Sequence, residues 1–359
     1  MKVGIVGMPN AGKSSLFNAL TRAGAEAANY PFTTIEPNVA VVPVEDPRLN
    51  AVAETVRASN LVHDTIDFHD IAGLVAGAHK GEGLGNQFLA NIRETDALLH
   101  VVRCHHDPNV IHPEGDVDPL RDIETIETEL VFADLEQVEK RLERVVRTAR
   151  GGDRAAVVEQ RWLEELRELL GRGEPARRLP PPPEVDRGPS VHLLTGKPVL
   201  FVANVDEGVD DVPEAVQAHA DAQGAGAVAV SSRLEAELSE LDPEEAVVMR
   251  EELGVGGASG LQRVVRGAFE LLQLNAFFTV GADKPAQSWH LRRGLTAWHA
   301  AGQIHSDIQR GFVRAEVIPW DALLAAGSYS AARDRGTLRL EGRDYVMQDG
   351  DVITVKFTP

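Results

Sequence analysis

The chain of 359 residues holds a single cysteine, Cys104. One thiol excludes an internal disulfide framework and suits a reducing compartment, so a cytoplasmic location is expected. Cys104 lies in the apolar run 98–104, where it reads either as a small core hydrophobe or as a redox sensor. No run approaches the roughly 18 apolar residues of a membrane span, and no membrane partner is expected. The amino terminus lacks a signal-peptide pattern and reads as a strand. Basic residues are also scarce: 36 Lys and Arg against 55 Asp and Glu leave a net charge of −19. That balance argues against indiscriminate nucleic-acid binding. The deficit is uneven. Residues 277–359 hold ten basic and nine acidic residues, a net of +1, so residues 1–276 carry −20. If any surface meets RNA, the C-terminal segment is the one the charge favours. With 43% hydrophobic residues, the chain has ample core for two or three globular domains.

What is present begins at Gly7-Met8-Pro9-Asn10-Ala11-Gly12-Lys13-Ser14, which fits G-x-x-x-x-G-K-[ST]. It follows the apolar run Val3-Gly4-Ile5-Val6 and precedes the helical pattern Leu16, Phe17, Ala19, Leu20. Strand, glycine loop and helix are the context in which this motif cradles phosphate. Glycine lets the backbone close around an oxyanion, and successive N–H groups with the helix N-terminus then face the phosphates. In this reading Asn10, Ala11, Gly12, Lys13, Ser14 and Ser15 bind the nucleotide. Lys13 reaches the β- and γ-phosphates, and the Ser14 hydroxyl ligates Mg²⁺.

Other pieces of a nucleotide switch follow at suitable places. Asp70-Ile71-Ala72-Gly73 fits D-x-x-G after a strand; the carboxylate is expected to serve Mg²⁺ and the Gly73 N–H the γ-phosphate. Tyr30-Pro31-Phe32-Thr33-Thr34 offers Thr34 as a metal ligand that a switch makes and breaks. The stretch 77–85, with four glycines in nine residues, reads as a second switch or as a mobile surface loop. Leu74 follows D-x-x-G, where many GTPases place a water-orienting glutamine. Leucine offers neither donor nor acceptor, so slow intrinsic hydrolysis is expected.

Asn204-Val205-Asp206-Glu207 stands at a strand end where GTP-binding switches carry N-K-x-D. Glu207 replaces the guanine-reading aspartate and Val205 the lysine. A carboxylate placed to read guanine would face the lone pair of adenine N1, so a reshaped corner suits ATP. The Asn204 amide can both donate and accept, which suits adenine N7 and N6. Asn204, Val205 and Glu207 are expected to bind the nucleotide, with Ser231 and Ser232, after the next strand, lining the base pocket.

The organisation predicted is a nucleotide-binding domain in two parts, 1–119 and 196–276, around a helical insertion at 120–195, then a small α+β domain at 277–359. In 120–170, Ile123, Ile126, Leu130, Val138 and Leu142 recur at mostly helical steps, and the pattern resumes after Gly151-Gly152-Asp153. It reads as an antiparallel arm of about 25 residues per helix, reaching about 40 Å, or as two ordinary surface helices. Pro180-Pro181-Pro182-Pro183 reads as a stiff extended connector.

Taken together, GMPNAGKSS, NYPFTTIEPN (29–38), DIAGLVAGAHKGEGLGNQFL (70–89), HVVRC (100–104), NVDE (204–207) and AAGQIHSD (300–307) resemble the YchF subfamily of Obg-like ATPases over nearly the whole length. The resemblance implies an α/β P-loop NTPase of the translation-factor type, an inserted antiparallel helical arm and a C-terminal TGS domain of β-grasp type. It implies Mg²⁺-dependent hydrolysis of ATP, preferred over GTP. The implied partners are ATP and the ribosome, its large subunit in particular, with RNA a further candidate through the TGS domain and the arm. In related members the residue matching Asn10 helps hold K⁺. His112 matches a family histidine proposed to assist hydrolysis, and it also reads as a structural surface histidine. Gln287, Trp298 and His299 stand where arginine, proline and glutamine are expected, which bears on the RNA contact rather than the fold.

Three other readings compete with an ATP-hydrolysing switch: an Obg-type GTPase, a ribosome-binding module with a structural nucleotide, and a metabolic P-loop kinase. The intact set Lys13, Ser14, Thr34 and Asp70 weighs against an inert site, and Leu74 weighs for it. A kinase lacks support, because no acceptor site is evident.

Overall fold

The computed structural model describes residues 1–27, 38–71, 84–113, 115–183, 185, 191–253, 255 and 259–358. Two compact units emerge: residues 1–42 with 67–271, and residues 43–66 with 272–359.

The first unit is built on a six-stranded sheet. Its strands are β1 (Lys2–Val6), β2 (Val39–Pro43), β4 (Thr65–Asp70), β5 (Ala97–Arg103), β6 (Val199–Asn204) and β7 (Gly226–Val230), in the order β2-β4-β1-β5-β6-β7. β1 lies between β4 and β5 and runs parallel to both; β5–β6 and β6–β7 are parallel too. Every residue of β5 and β6 is buried, as expected for central strands of a parallel sheet covered on both faces. The register sets Ile5 beside Asp70, Arg103 beside Asn204 and Asn204 beside Val230. The carboxyl ends of the strands thus share one edge of the sheet, where the order reverses around β1. Ligands of open α/β sheets bind at such a switch point.

The insertion is an antiparallel helix pair, α4 (Pro119–Arg150) and α5 (Arg154–Gly171). At 32 and 18 residues the helices are unequal, and α4 spans about 48 Å. Asp118 caps α4 by accepting from the Arg121 N–H at 3.2 Å, and Asp153 caps α5 by accepting from Ala156 at 3.0 Å. Gly152, at φ +88°, makes the turn. Val138, Leu142, Val145, Trp162, Leu163 and Leu166 form the seam. Arg141 and Glu159 join the helices through two bonds of 2.7 and 2.9 Å. Leu179 and Val185, flanking the proline run, pack against the same seam. At the root of the arm, buried Asp134 accepts from the N–H groups of Leu194 and Thr195 and from the Thr195 hydroxyl, at 2.7, 2.8 and 2.6 Å. His100 on β5 is buried nearby and tilted against Phe201, with ring centroids 5.4 Å apart.

The second unit contains α2 (Pro47–Val56), β3 (Leu61–Val62), β8 (Leu274–Thr279), β9 (Ala286–Arg292), α10 (Ala297–Ile304), β10 (Phe312–Pro319), β11 (Arg339–Glu341) and β12 (Asp351–Phe357). Its mixed sheet has the order β11-β10-β12-β8-β9-β3. Ala297, Ala300 and Ala301 of α10 pack on Phe277, Phe312 and Val317, the helix-on-sheet arrangement of a β-grasp domain. The sequence pattern assigns residues 43–66 to the nucleotide-binding domain and begins the last domain at 277. The structure instead groups 43–66 with 272–359. The cause is pairing at long range: Leu61 lies beside Ala286 in parallel register, and Arg48 bonds Asp349 at 2.6 Å. A two-residue strand carries no period by which sequence could assign it.

Two outcomes are expected. Asp134→Ala leaves two buried N–H groups without an acceptor and should cost about 3 kcal/mol; a loss under about 1 kcal/mol in denaturant titration would contradict the anchoring role. Burial, opposed by the charge of Glu127 and reinforced by His219, Lys13 and Arg177, pushes His100 down to about 4 from its ordinary value of 6.5. The unfolded chain therefore takes up a proton between pH 6.5 and 4 that the folded chain refuses, and stability falls on acidification by up to about 3 kcal/mol. His100→Phe should flatten that acid limb; an unchanged pH dependence of the unfolding free energy would refute it.

Candidate functional site

The phosphate loop is shaped by two positions that accept no side chain. Gly7 has φ +152°, and a Cβ there would lie 2.3 Å from the Val101 carbonyl oxygen. Gly12 has φ +99°, and a Cβ there would lie 2.1 Å from Asn204 Nδ2. Asn10 adopts φ +62°, the left-handed conformation that asparagine tolerates better than most residues. Ala11 is buried, Ser15 half-buried and Ser14 exposed at the start of α1 (Lys13–Ala27).

Lys13 is only 7% exposed, and its ammonium donates to the Met8 carbonyl at 2.8 Å. Burial lowers its pKa and the charge of Asp70 raises it, with burial the larger effect. Asp70 ends β4 and mirrors this: burial raises its pKa and Lys13 lowers it. The ammonium curls back onto its own loop, and among the described residues Asp70 is the carboxylate whose charge acts on it. This is a half-compensated cation, suited to a polyanion that supplies more negative charge than Asp70 does.

The far side of the site is organised by Asn204, 4% exposed. Its Nδ2 donates to the Ala11 carbonyl at 2.9 Å, and its Oδ1 accepts from the Ser232 N–H at 2.9 Å. One amide thereby joins the phosphate loop to the loop after β7. Ser232 is buried, and its Oγ makes no hydrogen bond. Ser231 is the N-cap residue of α7 (Ser232–Leu238) and makes no side-chain cap bond. Val205, expected from sequence to line the nucleotide, turns its side chain into an apolar cluster with Ala203 and Ala229. Its backbone N–H donates to the Val230 carbonyl at 3.0 Å. Apolar burial at the sheet end explains why valine, and not lysine, occupies the position. Glu207 is exposed, and its carboxylate accepts from Arg233 Nε at 2.8 Å.

Asn10 and His112 come together through the backbone. Asn10 Nδ2 donates to the Ile111 carbonyl at 3.0 Å. The His112 imidazole is not a surface group; it is buried, with Nε2 2.9 Å from Asp122 Oδ2 in the first turn of α4. Thr34, Gly73 and Leu74 lie outside the described residues, as do Tyr30–Thr33 and most of the 77–85 stretch. The sequence motifs assign no role to Arg103, Asp122 or Arg233. For Arg103 a signal exists, because an arginine inside an otherwise apolar strand needs partners in the core. Among the described residues no group of three or more His, Cys, Asp or Glu is placed to hold a metal ion. Ser14 and Asp70 remain as oxygen donors, which fits a magnesium ion held jointly by protein and phosphates rather than by a protein cage. Among the described residues no helix is long and apolar enough to cross a membrane.

A family model described as "50S ribosome-binding GTPase" matches residues 2–141, and the C-terminal domain model of YchF GTPases, described as "Protein of unknown function (DUF933)", matches residues 274–358. A Haemophilus influenzae protein called "Ribosome-binding ATPase YchF" is 47% identical over 360 residues, covering 99% of each chain. A Bacillus subtilis protein of the same name is 46% identical over 365 residues, again covering 99% of each. Among solved structures, that of the Schizosaccharomyces pombe YchF GTPase superposes with a TM-score of 0.87 at 35% identity, covering 99% of this chain and 97% of that one. A GTP-binding protein from Pyrococcus horikoshii shares the fold at 21% identity and a TM-score of 0.64, with all of both chains covered. With a phosphate loop, an inserted arm and full-length relatives at this identity, the chain belongs to the YchF family of P-loop NTPases.

Proposed function

We propose that this chain is a P-loop ATPase that hydrolyses ATP to ADP and phosphate and works in association with the ribosome. The observation that carries the reading is Lys13, buried under its glycine loop with Asp70 as a facing charge. A buried ammonium opposed by the Asp70 carboxylate has an electrostatic reason to take a triphosphate, and a structural lysine does not need the Gly7–Gly12 cradle around it. The names of the Haemophilus and Bacillus relatives support the activity and the ribosome as partner.

In this reading the backbone of Asn10, Ala11, Gly12 and Ser15 and the Lys13 ammonium bind the phosphates. Ser14, Thr34 and Asp70 hold Mg²⁺, which neutralises charge on the phosphate oxygens when bound. The Gly73 N–H serves the γ-phosphate, and Leu74 leaves the attacking water without a side-chain orienter. A potassium ion would take the amide oxygen of Asn10, whose nitrogen holds Ile111. The base lies beside Asn204, Ser231 and Ser232. Adenine is favoured because Glu207 is committed to Arg233 and Val205 to the core, so neither side chain is directed as a guanine reader. The TGS-type unit and the arm provide the contact to the ribosome, its large subunit in particular, with RNA as a further candidate ligand. The alternative is a GTPase of the same architecture, which the name of the S. pombe relative and the G-domain family model favour.

Lys13→Ala should lower phosphate release from ATP by at least about a hundredfold, with the melting temperature shifted by no more than a few degrees. Retained turnover would contradict the assigned phosphate site. In competition against a labelled nucleotide, ATP should displace at about tenfold lower concentration than GTP, roughly 1.4 kcal/mol; a GTP preference would establish the alternative. Phosphate release should rise on adding ribosomes. No stimulation by either ribosomes or potassium would leave a ribosome-binding module with a structural nucleotide.

A further inference from the structure

Arg103 closes β5, and at 1% exposure it is among the largest fully buried side chains of the chain. A buried guanidinium is tolerable only when its donors are engaged. Here three of them reach backbone carbonyls of the loop that follows. Nε donates to His105 at 3.3 Å, Nη2 to Asp107 at 3.1 Å and Nη1 to Val110 at 3.0 Å. The planar fork fixes the directions of all three bonds at once, which lysine could not do. The loop is also tied at its start, since the Cys104 N–H donates to the Asn204 carbonyl at 2.9 Å. The Asp107 carboxylate accepts from the Asn109 N–H at 2.9 Å.

This ordered loop ends on two adjacent residues that face different elements. The Ile111 carbonyl accepts from Asn10 of the phosphate loop. The His112 imidazole engages Asp122 in the first turn of α4, with both side chains almost wholly buried. Consecutive Cα atoms across a trans peptide are held about 3.8 Å apart. Ile111 and His112 are thus coupled across a single peptide unit, with only the intervening ψ and φ free to take up a displacement.

We propose that Arg103 is a positioning residue that stiffens residues 105–112 into a link, through which nucleotide at the phosphate loop is felt at the root of the helical arm. The inference rests on the nucleotide reading of Lys13 and its loop. His112 is then the arm-side contact of the link. A purely structural Arg103 would stabilise the fold equally in the presence and absence of nucleotide. A linking Arg103 makes the arm root respond to nucleotide.

Amide hydrogen exchange on the full-length protein, with and without a non-hydrolysable ATP analogue, separates the two. In the unmodified protein the analogue should slow exchange in residues 105–112 and in the first two turns of α4, by about fivefold or more. Arg103→Lys keeps the charge and loses the fork. It should bind the analogue within about threefold of the unmodified affinity, while the protection of α4 disappears. His112→Asn, at the other end of the link, should do the same, and it carries the test if Arg103→Lys does not fold. Variants that bind the analogue and keep full protection of α4 would overturn the proposal. So would an unmodified protein that binds the analogue without any change in α4. If the unmodified protein binds no analogue, the nucleotide reading itself fails and the proposal falls with it.

Discussion

One buried amide holds the candidate site together. Asn204 spans from the Ala11 carbonyl to the Ser232 N–H, and each contact would leave a buried polar group unsatisfied if the side chain were lost. The brace works because parallel register brings the carboxyl ends of β1, β4, β5 and β6 to one edge of the sheet. It also constrains the phosphate loop, since Gly12 approaches the Asn204 amide more closely than any Cβ would allow. Identity at position 204 and the absence of a side chain at position 12 are thus one requirement met from two distant places in the chain.

Burial sets the electrostatics around that brace. Lys13 and Asp70 each have a pKa moved by desolvation toward the neutral form, and each opposes the other's shift. Neither is fully compensated, which favours a ligand bringing both negative charge and a cation. Cys104 shows the same effect without chemistry: burial, with the nearby charge of Asp122, pushes its thiol up to about 12. A thiol held protonated against the core, half-buried, is a small hydrophobe and a poor redox sensor. Asp134 is a buried polar group with a structural role, because backbone donors surround its carboxylate.

Much of the site is legible in the amino-acid sequence, and the reason differs by residue. Gly7 to Ser14 are contiguous, and the turn they make is set by Gly7 and Gly12, so the motif is written in consecutive letters. Strands β5 and β6 appear as unbroken apolar runs because both of their faces are covered. The arm is visible from its period, though its helices are unequal in length, because the turn at Gly151-Gly152 does not fall midway between its two ends. Val205 and His112 are less legible. At both positions the motif marks a place in the chain, while the direction of the side chain depends on what packs beside it: Ala203 and Ala229 for one, Asp122 for the other.

By itself the sequence determined the phosphate loop, the alternation of strand and helix, the helical insertion and the separate C-terminal segment. Each of these rests on contacts between near neighbours or on a repeating period. Tertiary structure alone decided that Asn204 braces Ala11 across 193 residues, that residues 43–66 fold with the C-terminal unit, and that Asn10 holds the Ile111 carbonyl across 101 residues. Those outcomes depend on which distant groups the sheet register brings within about 3 Å of one another, and a hydrogen bond at that range leaves no periodic trace in the chain.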